Sequence, residues 1–176
     1  MENKKLLYFF GPLVGLIFLI PHQGWAQLKT ETKRPLITHA FAPDTGYYGS
    51  IWKIYIEAED PEGDMLRIAS VVDQVGYGRY PTQWVYLKPQ NAKHLRGYLQ
   101  GNFYSKTAAP LNDWTQITLK VSLFDKAGNE SNEVVFRLTF QSGAGGMPSL
   151  PAPFDQGDNP RLGYISIDLR NPGGTY

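Results

Sequence analysis

Apolar and polar residues alternate with a period of two through the middle of the chain, a pattern that predicts β-strands. The alternation is clearest over residues 115–125 and 133–140. The loop between them, residues 125–131, contains the Gly and Asn that a hairpin connection needs, so the two strands are predicted to pair. The apolar positions of this hairpin are Ile117, Leu119, Val121, Leu123, Val134, Phe136, Leu138 and Phe140.

A second pair of alternating runs, residues 52–59 and 65–72, flanks an acidic turn. Pro61 presets the bend of this turn, and Gly63 is predicted to take a positive φ. Further strand candidates are residues 36–42, 82–87 and 95–104, whereas no convincing helix is predicted between residues 27 and 141. About seven short strands joined by Pro, Gly, Asn and Asp turns are typical of an all-β protein with two packed sheets.

The turns at residues 60–64 and 125–131 resemble those of the immunoglobulin-like and cadherin-like repeats of bacterial exported and surface proteins. The resemblance covers residues 35–141. It implies an immunoglobulin-like antiparallel β-sandwich and a role in adhesion, assembly or interaction. The chain departs from true immunoglobulin domains in having no cysteine pair, and from true cadherins in lacking their longer calcium-ligand motifs.

The first 26 residues have the pattern of a secretory signal peptide. Two lysines precede an apolar run over residues 6–20, and the small residues Gly24 and Ala26 favour cleavage before Gln27. The apolar run has fifteen residues, whereas a membrane-spanning helix needs about twenty. We therefore expect export to the periplasm, the cell surface or the medium, with membrane attachment only if the signal is not cleaved.

The segments that flank the predicted sandwich have a different composition. Residues 27–34 are polar and are predicted to form a spacer, and residues 142–176 are predicted to form a flexible Gly/Pro-rich tail. One stretch of the tail, residues 164–169, alternates as a strand does. Such a strand can fold back on its own sandwich or pair with the sheet edge of another molecule. We hypothesise that it is an interaction strand whose docking residues are Ile165, Ile167 and Leu169.

Composition and charge exclude several classes of function. The chain has 176 residues, of which 42% are hydrophobic, enough for one core. The net charge of +1 comes from the N-terminal segment, and 15 basic and 15 acidic residues remain from Gln27 onward. Such a balanced surface argues against nucleic-acid binding. The chain has no cysteine, which excludes disulfides and thiol chemistry.

The acidic turn is a candidate cation site. The turns at residues 60–64 and 125–131 are expected at the same end of the sandwich, where they can gather hard oxygen ligands that suit Ca²⁺. The alternative is that these residues only form the turns and face solvent. The candidate ligands are Glu59, Asp60, Glu62, Asp64, Asp125 and Asn129.

The aromatic residues give a second candidate site. Trp84 and Tyr86 lie on the same side of one predicted strand, which is either a core face or a binding face. Exposed aromatic rings on a sandwich can stack on sugars, so a carbohydrate-binding module is the alternative to a protein-interaction module. No nucleophile elbow, paired-histidine zinc motif or phosphate-binding loop is present, so we expect neither catalysis nor an organic cofactor. The expected partner is a protein or a glycan outside the cytoplasm.

Overall fold

Ten strands and one short 3-10 helix form the secondary structure of the described residues. The structure is a computed structural model, and it describes residues 33–47, 50–105, 115–143, 145–146 and 148–170. The predicted signal peptide and most of the predicted spacer lie outside these ranges. The elements are β1 (Leu36–Phe41), β2 (Thr45–Tyr47), β3 (Trp52–Glu59), β4 (Met65–Gln74), β5 (Gly78–Arg79), β6 (Gln83–Tyr86), the 3-10 helix Pro89–Asn91, β7 (His94–Tyr104), β8 (Gln116–Asp125), β9 (Val134–Gln141) and β10 (Arg161–Asp168).

The strands form two sheets, as the alternation predicts. The four-stranded sheet has the order β1-β3-β7-β10, and the six-stranded sheet has the order β2-β9-β8-β4-β5, with β6 also paired to β4. All pairs are antiparallel except β2 with β9 and β10 with β7. The predicted all-β, immunoglobulin-like sandwich is confirmed. The chain also contains the short strands β2 and β5, which are too brief to give an alternating pattern.

The core lies between the two sheets. It is built from the apolar residues of the alternating strands, whose side chains point inward. Trp52 is 4% exposed, and its indole Nε1 donates a hydrogen bond to the carbonyl of Pro43 at 2.8 Å. Burying one Val, Leu, Ile, Phe or Met side chain in such a core contributes about 1.5–3 kcal/mol. The aliphatic residues at its centre are Ile54, Ile56, Ile68, Leu95, Leu99, Ile117, Leu119, Leu123, Leu138 and Ile165.

The C-terminal part of the chain corrects the predicted tail. Strand β10 pairs in parallel with β7 from Arg161 to Asp168, so the sandwich does not end at residue 141. The described residues 148–160, which we call the strap, are anchored to the four-stranded sheet. Phe154 is 2% exposed and packs against Tyr55 with 5.5 Å between ring centroids, and Arg96 donates to the carbonyls of Pro153 and Gln156. This apolar and polar anchoring places the strap on the outer surface of the sheet.

Glycines fit two positions where the backbone is constrained. Gly63 has a φ of 72°, as predicted for the acidic turn. Gly97 lies in β7 where the strap arrives, and a Cβ atom there would stand 2.2 Å from the carbonyl oxygen of Pro160. The same carbonyl accepts a hydrogen bond from Tyr98 N at 3.0 Å. The absence of a side chain at Gly97 therefore permits the close backbone approach by which β10 joins the sheet.

Side-chain amides cover both edges of the four-stranded sheet. At the β1 edge, Asn132 accepts from Ile37 N at 2.8 Å and donates to Ile37 O at 3.1 Å. At the β10 edge, Gln83 binds both backbone groups of Ser166 in the same way. Each amide occupies the position of a neighbouring strand, which protects the edge from pairing with another chain.

Within the described residues, no helix has the length and apolar character needed to cross a membrane.

Candidate functional site

The acidic corner consists of two turns, residues 60–64 and 125–129, which meet at one end of the sandwich. Met65 pairs with Asp125 across β4 and β8, and Lys126 N donates to the carbonyl of Asp64 at 3.2 Å. Carboxylate oxygens of Glu62, Asp64 and Asp125 all lie within 4.8 Å of one another. The predicted juxtaposition of the two turns is therefore confirmed.

The other three predicted ligands have different contacts. Asp60 accepts from the backbone N–H groups of Glu62 and Asp64, at 3.2 and 2.9 Å, and so stabilises its own turn. Asn129 donates its amide to Asp125 Oδ2 at 2.6 Å, which stabilises the second turn. Glu59 is exposed and lies 4.0 Å from His94. Three of the six candidate residues, Glu62, Asp64 and Asp125, thus place carboxylate oxygens close enough to share one cation.

Asp64 is the electrostatically strained member of the corner. Its Oδ1 is buried and has no hydrogen-bond partner. Burial raises the pKa of Asp64, a side-chain hydrogen bond with Asp60 raises it further, and the negative charges of Asp125, Asp60 and Glu62 add to the effect. A cation would relieve this repulsion. The hard carboxylate donors of the corner fit Ca²⁺, with water supplying the remaining ligands.

The second site lies on the outer surface of the six-stranded sheet. Trp84 and Tyr86 point away from the core and are 41% and 64% exposed, so their shared side is a solvent-facing one. They lie on β6, next to Arg67 of β4, which in turn neighbours Phe124 of β8. We call these four residues the aromatic face.

The guanidinium of Arg67 lies against two rings of the aromatic face. Its guanidinium carbon lies 4.1 Å from the centroid of the Trp84 ring and 5.7 Å from that of Phe124. The two rings meet edge to face with centroids 5.4 Å apart. A cation between aromatic rings is stabilised by about 0.5–2 kcal/mol, depending on its solvation. Sequence reasoning identified Trp84 and Tyr86 and missed Arg67 and Phe124, because the cluster forms only through the register of three strands.

The predicted docking residues of the C-terminal strand are not on a free surface. Ile165, Ile167 and Leu169 are 0%, 3% and 0% exposed and belong to the core of their own sandwich. The hypothesis of an interaction strand for another molecule is therefore corrected. The physical reason is twofold. The backbone of β7 has a free edge with which β10 pairs, and the apolar side chains of β10 are removed from water in the core of the same sandwich.

The two histidines that follow the predicted signal peptide have ordinary surface contacts. His39 Nδ1 lies 3.1 Å from Glu57 Oε2, and His94 Nδ1 lies 4.0 Å from Glu59 Oε1. Both histidine side chains are more than half exposed. His39 is thus a strand residue with a common polar partner.

Comparison with known proteins gives likenesses to solved structures. No family model matches the chain, and no curated protein matches it. The PKD domain of an M14-like peptidase from a Thermoplasmatales archaeon is 17% identical, with a TM-score of 0.42 and coverage of 62% of this chain and 98% of that domain. The CARDB domain of a Pyrococcus furiosus protein, solved in complex with di-metal ions, is 10% identical, with a TM-score of 0.35 and coverage of 65% and 99%. At these scores neither likeness assigns the chain a family or a ligand.

Proposed function

We propose that the chain is a non-catalytic binding module that acts outside the cytoplasm, in adhesion or assembly, and that its ligand docks on the aromatic face. The observation that carries this proposal is the exposure of Trp84 and Tyr86 around a fixed arginine. Trp, Tyr and Arg are the residues most enriched at the energetic centres of interfaces. Burying large aromatic side chains removes apolar surface from water and is favourable. A cluster of exposed aromatic rings is therefore typical of a surface that a ligand covers when it binds.

Carbohydrate recognition is the form of binding that this geometry favours. Trp84 and Tyr86 are alternate residues of one strand, so their side chains stand about 7 Å apart on the same surface. Successive rings of a chain-like ligand can then each contact one aromatic side chain. The alternative is that the aromatic face binds a protein, and the experiment below distinguishes the two ligands.

Binding of the exported protein to a glycan array tests the proposal. We expect binding that is lost in Trp84→Ala and weakened in Tyr86→Ala. The matched control is Tyr164→Ala, because Tyr164 is also 64% exposed but lies on β10 of the other sheet. Glycan binding that survives in the Trp84→Ala/Tyr86→Ala double variant would overturn the proposal. Absence of glycan binding, together with a Trp84-dependent protein partner, would assign the face to protein docking.

Export is part of the proposal and is supported by the sequence of residues 1–26. We expect the mature chain to begin at Gln27, because two lysines, a short apolar run and small residues precede it. Mass spectrometry of the protein recovered from the exporting cell measures this N-terminus directly. Recovery of the intact chain from Met1 would instead indicate a membrane-attached protein.

A further inference from the structure

Arg67 is fixed in place by the rings that surround it. Its Nε is buried without a hydrogen-bond partner, while its terminal nitrogens form no hydrogen bond within the described part of the chain and remain accessible. The contacts with Trp84 and Phe124 restrict the guanidinium plane. A planar guanidinium held in this way presents a ready-made fork of N–H donors, which is the geometry that binds carboxylates in a bidentate manner.

The charges on the outer surface of the six-stranded sheet are not balanced. Asp73 is paired with Arg79 by two hydrogen bonds, at 2.9 and 3.1 Å. The carboxylate of Glu133 lies 3.3 Å from Lys120 Nζ. Among the described residues, no carboxylate forms an ion pair with Arg67 or with the exposed Arg137. The carboxylates of Asp73 and Glu133 are therefore already paired with Arg79 and Lys120. The guanidinium groups of Arg67 and Arg137 are available to bind an external anion.

The two arginines lie far apart on the same surface. Arg67 is opposite Phe124 of β8, and Arg137 is opposite Thr118 of β8, six residues along that strand. At about 3.3 Å per residue this separation is roughly 20 Å. A small anion would meet only one of the two arginines, whereas a polymer with repeated carboxylates that crosses the sheet would meet both.

We propose that the aromatic face binds an acidic polysaccharide, a polymer of uronic acid residues. A carboxylate of the polymer binds the terminal nitrogens of Arg67, and adjoining sugar rings contact Trp84 and Tyr86. This inference rests on the proposed binding function and adds the chemical class of the ligand. Aromatic rings alone do not distinguish acidic from neutral sugars, so the fixed and unpaired guanidinium is the feature that selects an acidic one.

Isothermal titration of the mature protein with oligogalacturonate, and with the same oligomer after methyl esterification, tests the inference. The two probes have the same sugar rings, but only the first carries carboxylates. We expect binding of the acid, little or no binding of the ester, and weaker binding of the acid as the NaCl concentration rises.

Three variants locate the interaction. Arg67→Gln is expected to weaken binding of the acid about tenfold or more, because a charge-assisted contact is lost. Arg67→Lys keeps the charge without the fork and is expected to restore only part of the affinity. The control is Arg161→Gln, an exposed arginine of the other sheet, which should leave affinity unchanged. Thermal melts establish that each variant is folded.

Four outcomes would overturn the inference. Equal binding of acid and ester that still depends on Trp84 would leave the proposed binding function standing and exclude recognition of the carboxylate. Unchanged binding of the acid in Arg67→Gln would exclude the assigned site. Binding of polyglutamate in place of uronic acid oligomers would assign the face to an acidic protein. Binding of none of oligogalacturonate, oligoalginate and hyaluronate fragments would exclude this class of ligand.

Discussion

The side-chain amide of Gln83 forms hydrogen bonds with both backbone groups of Ser166, as a neighbouring strand would. Ser166 N donates to Gln83 Oε1 at 2.9 Å, and Gln83 Nε2 donates to Ser166 O. The contact joins β6 of one sheet to β10 of the other. The contact thus links an edge strand of each sheet, β6 and β10, and satisfies backbone groups of Ser166 that would otherwise lack a partner strand.

The first prediction concerns this contact. In Gln83→Glu the carboxylate can still accept from Ser166 N, but it also faces the carbonyl of Ser166 and donates nothing. We expect a loss of about 1–3 kcal/mol in the free energy of unfolding, the cost of an unsatisfied and repelled backbone acceptor. Denaturant unfolding measures it. The control is Gln90→Glu, at an exposed glutamine of the 3-10 helix, where the change should be near zero.

The second prediction concerns the strap. Phe154→Ala removes a fully buried ring from the surface of Tyr55, and substitutions of this kind cost about 3–5 kcal/mol. We expect lower stability and faster proteolytic cleavage within residues 148–160. Leu36→Ala, at a leucine that is 53% exposed, should change neither. A strap that resists proteolysis equally in both variants would mean that the polar contacts of Arg96 alone hold it.

Alternation along the chain was sufficient to predict the two-sheet fold. It located the strands of the hairpin at residues 115–125 and 133–140, within one residue of the observed β8 and β9, because inward and outward positions differ in polarity there. It could not choose the side on which Trp84 and Tyr86 lie, since an aromatic pair suits either face of a sheet. That choice follows from Val85, whose side chain points inward and is 9% exposed.

The C-terminal region was harder to predict for a physical reason. Gly/Pro-rich composition is typical of a linker, and Phe154 is a single apolar residue with no periodic neighbours. Its burial depends on Tyr55, about a hundred residues away along the chain. A signal was nevertheless present in two glutamines: Gln83 lies in a predicted strand, and Gln74 follows another, at the end of the observed β4. A polar residue at such a position needs a partner, and here the partners are the backbones of Arg170 and Ser166.

The third prediction is a pH dependence of stability. The pKa of Asp64 is raised in the folded state, so between the ordinary and the raised value the folded chain binds more protons than the unfolded one. The free energy of unfolding must therefore fall as pH rises through this window, by at most about 1.4 kcal/mol per pH unit for one group. Asp64→Asn should remove the fall and be more stable than the original chain at neutral pH in the presence of a chelator.

A control of opposite sign is available at Asp73. Hydrogen bonding to Arg79 lowers the pKa of Asp73, so its stabilisation is present above the ordinary pKa and is lost as pH falls. Asp73→Asn should remove a rise in stability with pH, and the effect should stay below about 1 kcal/mol because the pair is at the surface. Equal pH profiles for Asp64→Asn and the original chain would contradict the electrostatic interpretation of the acidic corner.

The fourth prediction is that Ca²⁺ binds the acidic corner. Three carboxylates within 4.8 Å form a small ligand set, so we expect the weak affinity typical of extracellular modules, with a Kd of about 1 mM. At ten times that concentration a ligand that binds only the folded state adds about 1.4 kcal/mol to the free energy of unfolding, which is measurable as a rise in Tm. Chelator should reverse the rise.

Asp64→Asn tests the calcium prediction directly, because its effect on stability should depend on the cation. Without Ca²⁺ the variant loses only repulsion and should melt above the original chain. With Ca²⁺ in excess it lacks a ligand, and the difference should shrink or reverse. Mg²⁺ is the control ion, since it requires a stricter octahedral geometry and gives up its water reluctantly. A Tm that responds equally to Ca²⁺ in both proteins, or equally to both ions in the original chain, would mean that the corner forms turns and binds no specific cation.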